Sequence, residues 1–191
     1  DTYSAIAAAI GSLKGPKHGG ANAKVMGMME EIKANVKHWE DDEEVKAFLA
    51  KILRKEAFDG SGLIYGMGHA IYTQSDPRAL VLKKNALSLA EKKGYMSEFD
   101  LLRKIEAITP KVFKDVTGND KAMCANVDMY SGLIYRMLGI PPELYTPLFA
   151  TARVAGWCAH RIEEILTGGR IMRPAYKTPY NLKEYKPISE R

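Results

Sequence analysis

Apolar residues recur through most of this chain at intervals of three and four, and nowhere in a sustained alternation of two. Val25, Met28, Met29, Ile32 and Val36 make one stripe, and Val45, Phe48, Leu49, Ile52 and Leu53 a second. That spacing lines up side chains on one face of a helix, whereas a half-buried strand needs every second residue. The punctuation agrees with the periodicity. Asp41 and Glu44 form a capping-box-like pair ahead of the second stripe. Asp76 suits the N-cap, and Pro77 the first position, of a third helix carrying Leu80, Leu87 and Ala90. Ser97 and Asp100 open a fourth, with Leu101, Leu102, Ile105 and Ile108 inside it. A fifth is expected from about Asn126 to Leu138, stopping at Gly139, and a sixth from Thr146-Pro147 past Trp157 to Leu166, ending at Gly168-Gly169. The expected fold class is all-α.

The alanine-rich opening, Asp1 to Ile10, has no basic n-region or cleavage site and reads as the middle of a helix rather than a signal peptide. It suggests a chain continued from something longer. No apolar stretch is long enough to span a membrane. Cys124 and Cys158 have neither metal-ligand nor disulfide-framework spacing, which fits two thiols in a reducing cytosol and so a cytoplasmic location. The net charge of +5 favours an anionic partner, but there is no Lys/Arg stripe with interleaved aromatics, so nucleic acid is not the expected one. A phosphorylated or polycarboxylate small molecule satisfies the charge equally well.

Between the helices lie short segments with unusual chemistry. In Gly15-Pro16-Lys17-His18-Gly19-Gly20-Ala21-Asn22 the glycines clear side chains from beside His18, so another molecule can approach it. The helix that follows presents its positive end, which favours a neutral imidazole; the alternative is a loop histidine that only caps the helix. Tyr65-Gly66-Met67-Gly68-His69 again sets a histidine behind glycines, and the two glycines suit a backbone lying against a flat ligand. Arg78 falls in the first turn of its helix, where the dipole disfavours a cation, so it is either held for a carboxylate or simply solvated. Asp128, behind Asn126, is either a dipole-complementing first-turn acid or a carboxylate kept ionised as a base. Arg153 has apolar neighbours and is expected to be buried with an anion; Arg173 precedes Pro174.

Taken in order, Gly-Pro-x-His-Gly-Gly-Ala-Asn, Gly-x-Gly-His with Asp-Pro-Arg-Ala downstream, Asn-Val-Asp-x-Tyr-Ser-Gly, Ala-Arg-x-x-Gly-Trp and Arg-Ile-x-Arg-Pro resemble the citrate synthase family, with a bacterial flavour, from Tyr3 to Tyr176. The resemblance implies a complete small domain, residues 20–139, between two parts of a large domain, residues 1–19 and 140–191. It implies that His18 hydrogen-bonds the thioester carbonyl of acetyl-CoA, that Asp128 abstracts the methyl proton, and that His69 polarises the ketone of oxaloacetate. Arg78, Arg153 and Arg173 would bind carboxylates, Arg173 in the neighbouring subunit of a homodimer. Tyr65, Gly66, Met67 and Gly68 would lie against the adenine of CoA, with Asn126 close by. Citryl-CoA is then hydrolysed. No metal and no resident cofactor is implied; acetyl-CoA enters as substrate.

Two departures stand out. The family's chains are much longer, and the half absent here supplies a further oxaloacetate-binding histidine, so this stretch alone is expected to be inactive. Thr73 stands where some members carry a CoA-contacting arginine, which shifts phosphate binding to lysines. The motifs do not separate a citrate synthase from a 2-methylcitrate synthase or a citryl-CoA lyase, because one methylene is worth only about 1–3 kcal/mol. A non-catalytic CoA-binding module on the same fold is a further alternative.

Overall fold

The computed structural model describes residues 1–14, 20–171, 173, 177, 181 and 183–190. Among them run seven α-helices: α1 (Thr2–Leu13), α2 (Ala21–Asn35), α3 (Asp42–Leu53), α4 (Pro77–Lys93), α5 (Met96–Thr117), α6 (Asp128–Met137) and α7 (Tyr145–Thr167). No strand occurs among the described residues; Met67 and Ala125 form one isolated antiparallel bridge.

The core belongs to α2–α6. Both predicted stripes point into it: Val25, Met28, Met29, Ile32 and Val36 are buried, as are Val45, Phe48, Leu49 and Ile52. Helix α6 packs against α4 and α2, and α3 lies along α5. At the centre, Met129, Tyr130 and Leu133 are almost wholly shielded from solvent. On α4 the buried residues are Ala79, Ala86 and Ala90, while Leu80 and Leu87 remain 53% and 38% exposed. The inward face of α4, which packs on α6 and α5, is thus made of small side chains.

The starts and stops are largely those expected. Asp76 accepts from the Arg78 N–H at 3.0 Å, with Pro77 in the first turn. Left-handed Gly94, Gly118 and Gly168 end α4, α5 and α7. At α3 the pairing differs from a reciprocal capping box. Asp41 accepts from the Glu43 N–H at 2.8 Å, but the Glu44 carboxylate accepts from the Lys37 and His38 N–H groups at 2.7 and 3.0 Å. It therefore pins the preceding loop rather than the cap.

Helices α1 and α7 pack on each other, outside this core. Tyr145 is the only residue of α7, and none of α1 is, classed as buried among the described residues. Both cysteines are free thiols. No described helix is long and apolar enough to cross a membrane, and no described His/Cys/Asp/Glu group could hold a metal.

Candidate active site

The site is built where the segment ahead of His69 lies on the start of α6. The Gly68 N–H donates to the Cys124 carbonyl at 2.7 Å, and the Asn126 N–H to the Gly66 carbonyl at 2.9 Å. The Asn126 side chain completes the tie. Its Nδ2 donates to the Gly68 carbonyl at 3.0 Å, while its Oδ1 accepts from the Asp128 N–H at 3.0 Å. One amide thus satisfies the first N–H of α6 and holds the histidine-bearing segment against it. Gly66 permits the contact: its φ is +84°, and a Cβ there would lie 2.8 Å from Met129 Sδ and 3.0 Å from Met129 Cα.

His69 is oriented by its own loop. Nδ1 accepts from the N–H groups of Ile71 and Tyr72 at 3.0 and 3.1 Å. In the neutral ring those bonds leave the proton on Nε2. Nε2 lies 3.4 Å from Arg78 Nη2. Two donors cannot satisfy each other, so the pair suits one shared acceptor, such as a ketone oxygen or a carboxylate.

Arg78 is not simply solvated. Its Nε donates to Asp76 Oδ1 at 3.0 Å and its Nη2 to Asp76 Oδ2 at 2.8 Å. The Asp76 side chain is 0% exposed and that of Arg78 46%. The Arg78 hydrogen bond, opposed by burial, holds the Asp76 carboxyl below the usual range. Asp76, read from sequence only as a cap, therefore also aims the guanidinium.

Asp128, in the first turn of α6, is half-buried, and among the described residues no donor reaches its carboxylate. Burial pushes its carboxyl up, the Arg78 charge pulls it down and the Asp76 charge pushes it up again; the net shift is upward. A carboxylate that holds a proton more readily than usual is a better base toward a weak carbon acid.

One cavity of about 860 Å³ is lined by His69, Arg78, Asn126, Asp128, Arg153 and Gly68. Tyr135, Tyr145, Phe149 and Trp157 give it aromatic walls. Arg153 corrects an expectation. It is exposed, not buried, with its guanidinium 4.9 Å from the centre of the Phe149 ring, because α7 has so little covering it in this chain. Tyr65, Gly66 and Met67 do not line the cavity. Met67 is buried in the core, and the Tyr65 hydroxyl donates to Asp59 at 2.8 Å. Arg173 is exposed and not among the lining residues. His18 lies outside the described residues, although Ala21 and Asn22, just after it in sequence, line the cavity. Sequence reasoning also passed over Ser131 and Tyr135; both stand on the α6 face of Asp128, at spacings of three and seven, a signal the helix period supplies.

Comparison with known proteins is consistent across sequence and structure. A family model described as citrate synthase, C-terminal domain, matches residues 1–175. A citrate synthase from Synechocystis is 41% identical over 193 residues, covering 100% of this chain and 44% of the relative. One from Deinococcus radiodurans is 40% identical, covering 100% and 46%. Among solved structures, citrate synthase from Thermoplasma acidophilum, in a ternary complex with carboxymethyl coenzyme A and oxaloacetate, matches with a TM-score of 0.73 at 35% identity, covering 100% of this chain and 47% of that one. The chain thus spans less than half the length of these relatives.

Proposed function

The chain belongs to the citrate synthase family, and from that premise we propose that the protein condenses acetyl-CoA with oxaloacetate and hydrolyses citryl-CoA to citrate and CoA. The observation that carries this reading is Asp128, a half-buried carboxylate raised above its ordinary value and sharing one cavity with His69 and Arg78. Methyl protons beside a thioester are very weakly acidic, so a base must act together with a donor to the developing enolate oxygen. Asp128 takes the methyl proton, and His18 donates to the thioester carbonyl. The enol carbon then bonds to the keto carbon of oxaloacetate, and His69 Nε2–H supplies the proton to the new hydroxyl. Arg78, held by Asp76, and Arg153 take the substrate carboxylates. Water finally cleaves the thioester, releasing CoA as thiol.

The division into a small domain, residues 20–139, and large-domain parts, residues 1–19 and 140–191, is supported by the core that α2–α6 share and by the separate pairing of α1 with α7. Closure of the one on the other would exclude water from the enol. A cytoplasmic homodimer, with Arg173 reaching the neighbouring site, completes the reading. It is tested by following CoA thiol release in a family-length protein carrying this chain, with acetyl-CoA or propionyl-CoA and with or without oxaloacetate. Release from acetyl-CoA that requires oxaloacetate is the expected result. Release from propionyl-CoA alone would move the assignment to 2-methylcitrate, and silence with both would leave a binding module.

A further inference from the structure

Asn22 stands in the first turn of α2 and is 7% exposed, yet it lines the cavity that holds Asp128. Its Nδ2 donates to Ser131 Oγ, on α6. Ser131 follows Asp128 by three residues, so the two share a helix face, and both line the cavity. The contact needs an unusually close approach of the helices. A Cβ on Gly132 would lie 2.6 Å from Met26 Sδ and 2.8 Å from Asn22 Oδ1. Met26 is one turn along α2 from Asn22, so glycine at 132 lets this whole face of α2 settle on α6.

The contact is polar where apolar packing would serve adhesion better. Asn22 Oδ1 is buried without a partner among the described residues, a costly arrangement beside a core of apolar side chains. Such an atom at the wall of a reaction cavity points to placement rather than to stability.

Resting on the reading of Asp128 as the base, we propose that the Asn22–Ser131 pair is a positioning element, fixing the first turn of α6, and with it the Asp128 carboxylate, relative to the start of α2, which His18 precedes by three residues in sequence. Base and donor must face the same thioester, and of the polar links between α2 and α6 this one lines the cavity, whereas Arg136–Glu30 lies away from it. It acts through Asp128 and touches no substrate itself.

The test is a double-mutant cycle in a family-length protein carrying this chain, with Asn22→Ala, Ser131→Ala, the double variant and Asp128→Asn assayed for oxaloacetate-dependent CoA release and for Tm. Each single variant is expected to lower kcat by about 10- to 100-fold, as a small misplacement of a catalytic group does. KM for both substrates should stay within about threefold, and the double variant should fall no further than about threefold below the worse single one, since the two act as a unit. Should Asn22→Ala fail to fold, Ser131→Ala carries the same criterion alone. Near-normal kcat in the single variants beside an inactive Asp128→Asn would overturn the positioning role alone, as would losses that multiply or fall only on KM. An Asp128→Asn protein that turns over within a few-fold of wild type would overturn the reading beneath it as well.

Discussion

Substituting alanine at Gly66 and, separately, at Gly68 isolates the contact on which the site is built. Both glycines have positive φ, +84° and +91°. A side chain at either position carries backbone strain of about 1–2 kcal/mol. They differ in what the new methyl meets. At Gly68 the nearest atom is the end of the Met123 side chain, 3.8 Å away, which is ordinary contact. At Gly66 it meets Met129 Sδ at 2.8 Å and Met129 Cα at 3.0 Å, and the backbone of a buried helix cannot step aside. Overpacking of that kind adds about 1–3 kcal/mol. Gly68→Ala should therefore cost about 1–2 kcal/mol and Gly66→Ala about 2–5 kcal/mol, each kcal/mol lowering Tm by about 2–4 °C in a domain of this size. Thermal unfolding followed by circular dichroism measures both. Equal losses, or a larger loss at Gly68, would show that the loop does not rest on α6 as described.

Other substitutions probe the charges. Asp128→Asn should raise stability at neutral pH. Because Asp128 holds its proton more tightly folded than unfolded, wild-type stability falls as pH rises from the ordinary value of 3.8 through the raised folded value, then levels off. The Tm advantage should thus be full above that window and vanish below it. Asp76→Ala should cost about 0.5–2 kcal/mol through loss of the α4 cap. Asp76 is depressed, so its contribution is present above 3.8 and lost as pH falls through the folded value; denaturant melts of wild type and variant should converge in acid. In a family-length protein carrying this chain, steady-state assays under the proposed activity should find that Arg78→Lys raises KM for oxaloacetate by about tenfold or more and leaves KM for acyl-CoA alone, since a point charge cannot keep both Asp76 and a second anion in its fork.

Much of the helical scaffold could be read from spacing, because the buried stripes of α2 and α3 are made of large apolar residues at helical intervals. The α4 face was legible only at Ala90. Leucine outranks alanine in any single-sequence pattern, yet Ala79 and Ala86 are buried with Ala90 while Leu80 and Leu87 are exposed. Arg153 misled for the opposite reason: apolar neighbours along α7 predict burial only where another element covers them. At the site, the Gly-x-Gly-His pattern drew attention to a segment whose Gly68 and His69 line the cavity. Local sequence could not show that Asp76 aims Arg78 or that Asn126 joins two segments 58 residues apart, since both depend on geometry. Nor could it show that Gly66 and Met67, read as part of a ligand-facing strip, also serve the packing of the loop.

The most direct measurement of the central claim compares oxaloacetate-dependent CoA release by a family-length protein carrying this chain with that of its Asp128→Asn variant, both verified as folded. If Asp128 is the base that takes the methyl proton, the variant should lose about 10²–10⁴-fold in kcat with little change in KM. A variant that turns over within a few-fold of wild type would contradict the account, and would leave the cavity as a binding site without the chemistry assigned to it.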